Sequence, residues 1–358
     1  MSSLFPDIIF DVLLRLPVKT LLRFRCISKS YCTLIDNPDF IKAHLDTSIQ
    51  TKPRKKLILL RHQSNGVAEF YAADHNGGLI DPIKLKSPIK SKSNGTRIVG
   101  SCNSLVLLMQ NTDKLLLWNP FTTQYKILPE PQREKATFTS QYLQYDVFGL
   151  GYDAASDDYK VVRIQKYRSK KDGVGIYSLR SNSWTRLHDF PCDNYEFDWT
   201  AMGKHVSGTL YWLCAKETYS VSIVAFDILT EKFHALQIPA QYSRQYNKLH
   251  VVEGRLCLSS RRYADYHKTK LNLYVGEKHG ARLTWSKMGK IMYTRSGRDF
   301  SFLKPFSCLK DGDKVLLDIE LKDIIWYGNM EEYVEVWRDL TTCWENLVSL
   351  GNGNAICR

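Results

Sequence analysis

Apolar positions in the first forty-five residues follow a helical period. Ile9, Leu13 and Leu16 fall at i, i+4 and i+7, on one face of a helix. Asp7, just after Pro6, is placed as an N-cap or first-turn acid. Pro17 interrupts the run, and Val18, Leu21, Leu22 and Cys26 restart it. Ser28 and Ser30 flank a short break or cap, after which Tyr31, Leu34 and Ile35 form another amphipathic stretch. Asn37-Pro38 stops it, because a residue before proline is pushed out of the α region. Phe40, Ile41 and Leu45 close with a last turn. So short a piece cannot bury enough surface to stand alone. Its side chains from Phe5 to Phe24 cover more than one helix face. Each fully buried Leu or Ile contributes about 1.5–3 kcal/mol, so the surplus must be covered by the rest of the chain or by a partner.

From Leu57 onward the helical period vanishes, and Leu57-Ile58-Leu59-Leu60 reads as a first buried strand. Further strand candidates are Leu115–Trp118, Lys160–Ile164, Gly175–Leu179, Leu210–Cys214, Ile223–Phe226, Leu256–Ser259, Leu271–Val275 and Lys314–Ile319. Turn signals lie between them: Asn76-Gly77-Gly78, Asn119-Pro120, Asp172-Gly173 and Asp311-Gly312. Two pieces recur. In one, a small residue precedes an apolar strand, as at Ser104-Leu105, Gly208-Thr209-Leu210, Gly254-Arg255-Leu256 and Gly312-Asp313-Lys314. In the other, a strand ending in an aromatic is followed by a polar turn and an apolar return, anchored at Trp118, Tyr177 and Phe226. The anchors lie 59 and 49 residues apart by subtraction of their numbers, near the roughly 50-residue period of kelch blades. The predicted fold class is α+β multidomain: a small all-α piece, then an all-β propeller-like domain of about six blades. The expected boundaries are 1–45 for the helices, 46–56 for a basic linker, 57–350 for the β-domain and 351–358 for a flexible tail.

Composition narrows the class. Apolar residues make up 44% and charged residues 24%, which excludes wholesale disorder. No apolar run approaches the ~20 residues of a spanning helix, and no basic region precedes the N-terminal apolar run, so no membrane role and no secretion are expected. The nine cysteines are scattered, odd in number and free of Cys-x-x-Cys pairs, which points to reduced thiols in the cytoplasm or nucleus. The net charge of +13 is uneven: residues 52–97 carry +7, 241–310 carry +11 and 311–358 carry −6. The run Thr51–Lys56 reads as a solvated connector or as a nuclear-localisation patch. No HExxH, P-loop or G-x-S-x-G is present, and the histidines are dispersed, so no catalytic residue, metal or cofactor is expected.

The run Phe5-Pro6-Asp7-Ile8, Val12-Leu13-Leu14-Arg15-Leu16-Pro17-Val18-Lys19-Thr20-Leu21-Leu22-Arg23-Phe24 and Cys26-Ile27-Ser28-Lys29-Ser30-Tyr31 resembles the plant F-box. Phe5, Thr20 and Tyr31 stand where that family has Leu, Ser and Trp. The segments Gly100–Leu105, Phe148–Asp153, Asp157–Val162 and Val206–Trp212 are similar to the plant F-box-associated domain, with Ser104 in place of the usual Gly. The resemblance implies a non-catalytic substrate-recognition subunit of a Skp–cullin–F-box ubiquitin ligase. Phe5, Pro6, Leu13, Leu16, Pro17 and Leu21 are expected at or near the contact with a Skp-type adaptor, which leads on to cullin and a RING protein. Tyr and Arg, the usual anchors of protein interfaces, nominate Arg244, Tyr246, Arg261, Arg262 and Tyr263 for contact with an unknown protein target. The loop holding Tyr195, Phe197 and Trp199 is a second candidate. No nucleic-acid fold signature accompanies the basic segments. Family relatives point to immune regulation or, alternatively, to pollen receptors for ribonucleases; a propeller binding module without a ligase role is the remaining reading.

Overall fold

The computed structural model describes residues 6–51, 55–63, 65–74, 82–89, 95–111, 114–130, 143–167, 173–187, 195–197, 202–216, 221–238, 246–252, 254–263, 268–279, 282–294, 303–308, 315–319, 323–327, 334–335, 339–351 and 354–355. The chain forms two compact units. One joins Met1–Leu128 to Asp339–Arg358, and the other is Pro129–Arg338.

Four helices open the first unit: α1 (Pro6–Leu14), α2 (Val18–Phe24), α3 (Lys29–Asp36) and α4 (Pro38–Thr51). Pro6 and Pro38 each occupy a first helical position, where the missing N–H costs nothing. Helix α4 runs well past the turn expected at Leu45, and the first strand begins at Lys55. Most of the expected linker 46–56 is therefore helix. The reason is long-range packing: His44, Leu45 and Ser48 are buried along the inner face of α4.

The strands follow in six groups. They are β1 (Lys55–His62), β2 (Ala68–Asp74) and β3 (Ile83–Lys84); β4 (Arg97–Cys102), β5 (Leu105–Gln110), β6 (Lys114–Trp118) and β7 (Gln124–Ile127); β8 (Leu143–Asp153), β9 (Asp158–Tyr167), β10 (Gly173–Ser178) and β11 (Ser183–Leu187). After the short β12 (Tyr195–Phe197) come β13 (Met202–Val206), β14 (Thr209–Lys216), β15 (Val221–Asp227) and β16 (Lys232–Gln237). Then come β17 (Tyr246–Val252), β18 (Arg255–Tyr263), β19 (Lys268–His279) and β20 (Arg282–Thr294), followed by β21 (Leu303–Cys308), β22 (Val315–Ile319), β23 (Asp323–Tyr327) and β24 (Val334–Glu335). Each group pairs in sequence order as an antiparallel sheet. The first group takes its fourth strand from the far end of the chain, where β25 (Asp339–Trp344) lies against β1 with Lys55 opposite Trp344. The expected flexible tail also pairs: β26 (Asn354–Ala355) adds to β7 opposite Tyr125 and Gln124.

Both recurring sequence pieces have structural counterparts. Trp118, Tyr177 and Phe226 sit on the third strands of the second, third and fourth sheets, and all are fully buried. The polar stretch after each anchor is a five-residue turn with an Asx or Ser residue first and a left-handed residue last. Asn119 Oδ1 accepts from the Phe121 and Thr122 amides, Ser178 Oγ from Ser181, and Asp227 Oδ1 from Thr230. Thr123, Asn182 and Glu231 hold the left-handed positions. A fourth copy, Asp153–Asp157, joins β8 to β9. Two of the small-residue pieces, at Ser104 and Gly208, lie in two-residue turns from first to second strand, and Gly312-Asp313-Lys314 lies outside the described residues. At Ser207-Gly208 both residues have positive φ, whereas at Asn103-Ser104 only Asn103 does, which leaves room for serine.

The middle sheets explain why the strands carry apolar residues on both faces. Leu210, Trp212, Cys214, Val224 and Phe226 of the fourth sheet pack against Val147, Val162, Ile164, Val174 and Ile176 of the third. The alternate residues Tyr211, Ile223 and Ala225 pack against Leu249, Leu256 and Leu258 of the fifth. The third and fourth sheets also join edge to edge, β8 running parallel to β13 with Gly149 opposite Gly203. The Trp212 ring lies over both glycines, and its Nε1–H donates to Phe148 O at 3.1 Å. Lys160 bonds across the same pair of sheets to Glu231 at 2.8 Å, and within its own sheet it pairs with Asp153 at 3.3 Å. Burial opposes its charge, but those two carboxylates outweigh burial and hold the ammonium above the usual lysine range.

A Cβ on Gly149 would stand 2.7 Å from the Trp212 ring, and one on Gly203 would stand 2.8 Å from that ring and 2.9 Å from the Gly149 Cα. Gly149→Ala is expected to cost about 1–3 kcal/mol in thermal or urea unfolding, with Gly203→Ala costing more because backbone must move. An unchanged midpoint for Gly203→Ala would remove the close-approach account. Burial also pushes His205 on β13 down to about 4. The unfolded chain takes up this proton near pH 6.5 and the folded protein does not. The contribution of neutral His205 is therefore complete above pH 6.5 and is lost as pH falls to about 4. His205→Gln should flatten the stability profile over that window, and an unaltered profile would contradict the assignment.

Candidate functional site

The helices build a hook whose inner face is Leu13, Val18, Leu21, Ile35 and Phe40. Phe10 meets Phe40 edge-on at 5.3 Å, and Phe24 meets Tyr31 at 5.8 Å, so Tyr31 fills the place of the family's Trp by packing on Phe24. Ser28 caps α3, its Oγ accepting from the Tyr31 amide at 3.2 Å. Arg25 pairs with Asp36 at 2.7 Å across α2 and α3, but both side chains are more than a third exposed, so this pair contributes little.

The outer face carries exposed apolar residues among exposed charged ones. Ile8 and Val12, one helical turn apart on α1, are 47% and 52% exposed, and Ile27 in the turn between α2 and α3 is 64% exposed. Pro17, at the start of α2, is exposed too. A stripe of this kind on a small helical piece marks a surface awaiting cover.

The residues nominated from sequence divide accordingly. Leu13 and Leu21 lie in the hook's core cluster, 2% and 0% exposed. Leu16 packs partly buried on that core, and its carbonyl accepts from His44 Nε2 at 3.0 Å. Pro6 opens α1, and Phe5 lies outside the described residues. Ile8 and Val12 were not singled out, although their i, i+4 spacing beside the Ile9–Leu13 stripe is the signal that distinguishes an outer row from an inner one.

The second set of nominated residues divides too. Phe197 is 4% exposed within the cluster shared by the third and fourth sheets, and its amide donates to Tyr145 Oη at 3.0 Å. It is thus a core residue, which corrects its assignment to a contact surface: β12 pairs with β14, and that turns Phe197 inward opposite Cys214. Tyr195 starts the same strand, while Trp199 and Arg244 lie outside the described residues. In the fifth sheet the register brings distant residues together. Tyr246 stands opposite Arg261, Arg262 opposite Lys270 and Tyr263 opposite Thr269, all at one end of the sheet. Lys268 and Lys270 join them there, and only the pairing of β18 with β19 could have identified those two.

Nothing in the described residues gathers three or more His, Cys, Asp or Glu side chains as metal ligands. Nor is any helix among them long and apolar enough to cross a membrane. Cys102 and Cys343 are fully buried, and burial raises both thiols well above the ordinary cysteine range.

Residues 69–337 match the family of the F-box associated beta propeller domain, and residues 1–43 match the F-box domain. The chain therefore belongs to the F-box proteins that carry an F-box associated β-domain. It is 29% identical over 352 residues to F-box protein CPR1 of Arabidopsis thaliana, covering 91% of this chain and 82% of that one. It is also 29% identical over 325 residues to an F-box/kelch-repeat protein of the same plant, covering 86% and 83%.

Proposed function

We propose that this chain is the target-recognition subunit of a Skp–cullin–F-box ubiquitin ligase, with no catalytic step of its own. The observation that carries the proposal is the exposure of Ile8 and Val12 on α1 and of Pro17, on a hook whose inner face is already buried in a core cluster that takes in Leu347. A Skp-type adaptor covers those exposed residues and links the chain to cullin, a RING protein and a ubiquitin-loaded enzyme. The F-box associated β-domain, which matches residues 69–337, holds the target. Bringing a target lysine near the loaded enzyme raises its effective concentration, which is all the chemistry this subunit supplies.

The basic, tyrosine-bearing end of the fifth sheet is the proposed target surface, comprising Tyr246, Arg261, Arg262, Tyr263, Lys268 and Lys270. Residues 241–310 carry +11, which favours an acidic target and disfavours a basic one such as a ribonuclease.

Co-expression with a Skp-type adaptor, followed by size-exclusion chromatography, tests the first part. The wild-type chain should co-elute one to one. Ile8→Asp with Val12→Asp should weaken capture at least tenfold, about 1.4 kcal/mol, without shifting the unfolding midpoint. Leu21→Asp should instead unfold the hook. Full co-elution of the folded double variant sinks the adaptor proposal. For the target surface, proteins retained by wild type and lost from Arg261→Glu with Arg262→Glu should be acidic at the contact. Retention of the same partners by the charge-reversed chain would exclude this end of the sheet.

A further inference from the structure

The hook is incomplete without the other end of the chain. After β25, residues Glu345–Leu350 run beneath the helices. Glu345 Oε1 accepts from the Val18 amide at 2.7 Å. That bond caps α2, whose own N-cap residue, Pro17, offers no side-chain acceptor. The Glu345 carbonyl accepts from Ser48 Oγ on α4 at 3.3 Å.

Asn346, fully buried, makes the central connection. Its Nδ2 donates to the Ile41 carbonyl at 3.2 Å and lies 3.0 Å from His44 Nδ1. His44 Nε2 lies 3.0 Å from the Leu16 carbonyl. The ring therefore carries its hydrogen on Nε2 and accepts on Nδ1. Asn346 Oδ1 accepts from the Val348 amide at 2.8 Å. On the other side, Asn119 Nδ2 donates to the carbonyls of Asn346 and Val348, at 3.1 and 2.9 Å. Leu347 enters the hook's core cluster, where Phe121 also packs. One segment thus ties the start of α2, the middle of α4 and the β6–β7 turn together through buried and partly buried hydrogen bonds. A buried amide stripped of such partners costs about 1–3 kcal/mol.

We infer that Glu345–Leu350 is a working part of the recruiting module. The adaptor-docking hook is discontinuous, built from residues 6–51 and a strap more than 290 residues further along the chain. The strap holds α2 against α4 and fixes the hook to the second sheet. An intact F-box motif is then insufficient for recruitment, and Glu345 and Asn346 are positioning residues that act through α2 and α4. This inference rests on the adaptor reading for its functional consequence and on the hydrogen-bond network for its structural one, so the two can be tested separately.

The experiment compares the full-length chain with Glu345→Ala, Glu345→Gln, Asn346→Leu and a chain ending at Trp344, which keeps β25. Hydrogen exchange is followed in α2, α4 and β13–β16, and affinity for a Skp-type adaptor is measured on the same preparations. Exchange in α2 and α4 should rise at least tenfold in Glu345→Ala, Asn346→Leu and the shortened chain, with β13–β16 unchanged. Adaptor affinity should fall at least tenfold in the same three. Glu345→Gln, which keeps an acceptor oxygen for Val18, should behave as wild type. Unchanged exchange in Asn346→Leu overturns the strap. A rise in exchange with full adaptor affinity overturns its place in the recruiting module. If the wild-type chain itself ignores the adaptor while exchange responds as expected, the strap stands and the ligase reading fails. If the shortened chain also loses protection in β13–β16, it has unfolded globally and the point variants decide.

Discussion

A sheet with apolar side chains on both faces must be covered twice, and the β-domain is organised around that constraint. The fourth sheet shows it most directly, with Trp212 and Phe226 turned toward the third sheet and Tyr211 and Ile223 toward the fifth. The period-2 geometry of a strand sends alternate residues to opposite neighbours, so the fourth sheet is covered on both faces. Such stacking does not tolerate a gap. Gly149 and Gly203 meet where two successive sheets join, and their missing side chains leave room for the Trp212 ring. The recurrent turn, begun by an Asx or Ser acceptor, keeps the hairpins alike.

Stacking by neighbours leaves the first sheet with a special requirement. Its central strand, β1, has Leu57–Leu60 fully buried, and its partner on one side comes from residues 339–344. The chain thus returns to its beginning before it ends. That return carries Glu345 and Asn346 to the underside of the hook, where they satisfy a helix start and a buried histidine. A closure needed for the sheet becomes the anchor of the helices. The hook therefore does not dangle from a linker: α4 extends to Thr51, only residues 52–54 separate it from β1, and the strap holds it from below.

Much of this was legible in the residues, for identifiable reasons. The helix start near Asp7, the break at Asn37-Pro38 and the cap at Ser28 all depend on neighbours within four positions, so local spacing reveals them. The three aromatic anchors were visible because the turn that follows each has strict requirements: an acceptor first and a tolerant left-handed residue last. Phe197 was misread as a contact residue because its surroundings in sequence are polar and aromatic, as in an interface loop. Its burial comes from pairing with Cys214, which no local pattern reports.

The sequence alone therefore determined the change from helical to strand period near Leu57 and the repeated hairpins, since these rest on short-range spacing. Tertiary structure decided the rest. It chose which apolar residues of the hook face inward and which, like Ile8 and Val12, remain outside. It placed Tyr246 beside Arg261, and it joined the last strand to the first. The physical reason is the same in each case: register and burial depend on contacts between residues tens or hundreds of positions apart. A Glu that caps a helix 327 residues away leaves no trace in the local pattern on either side.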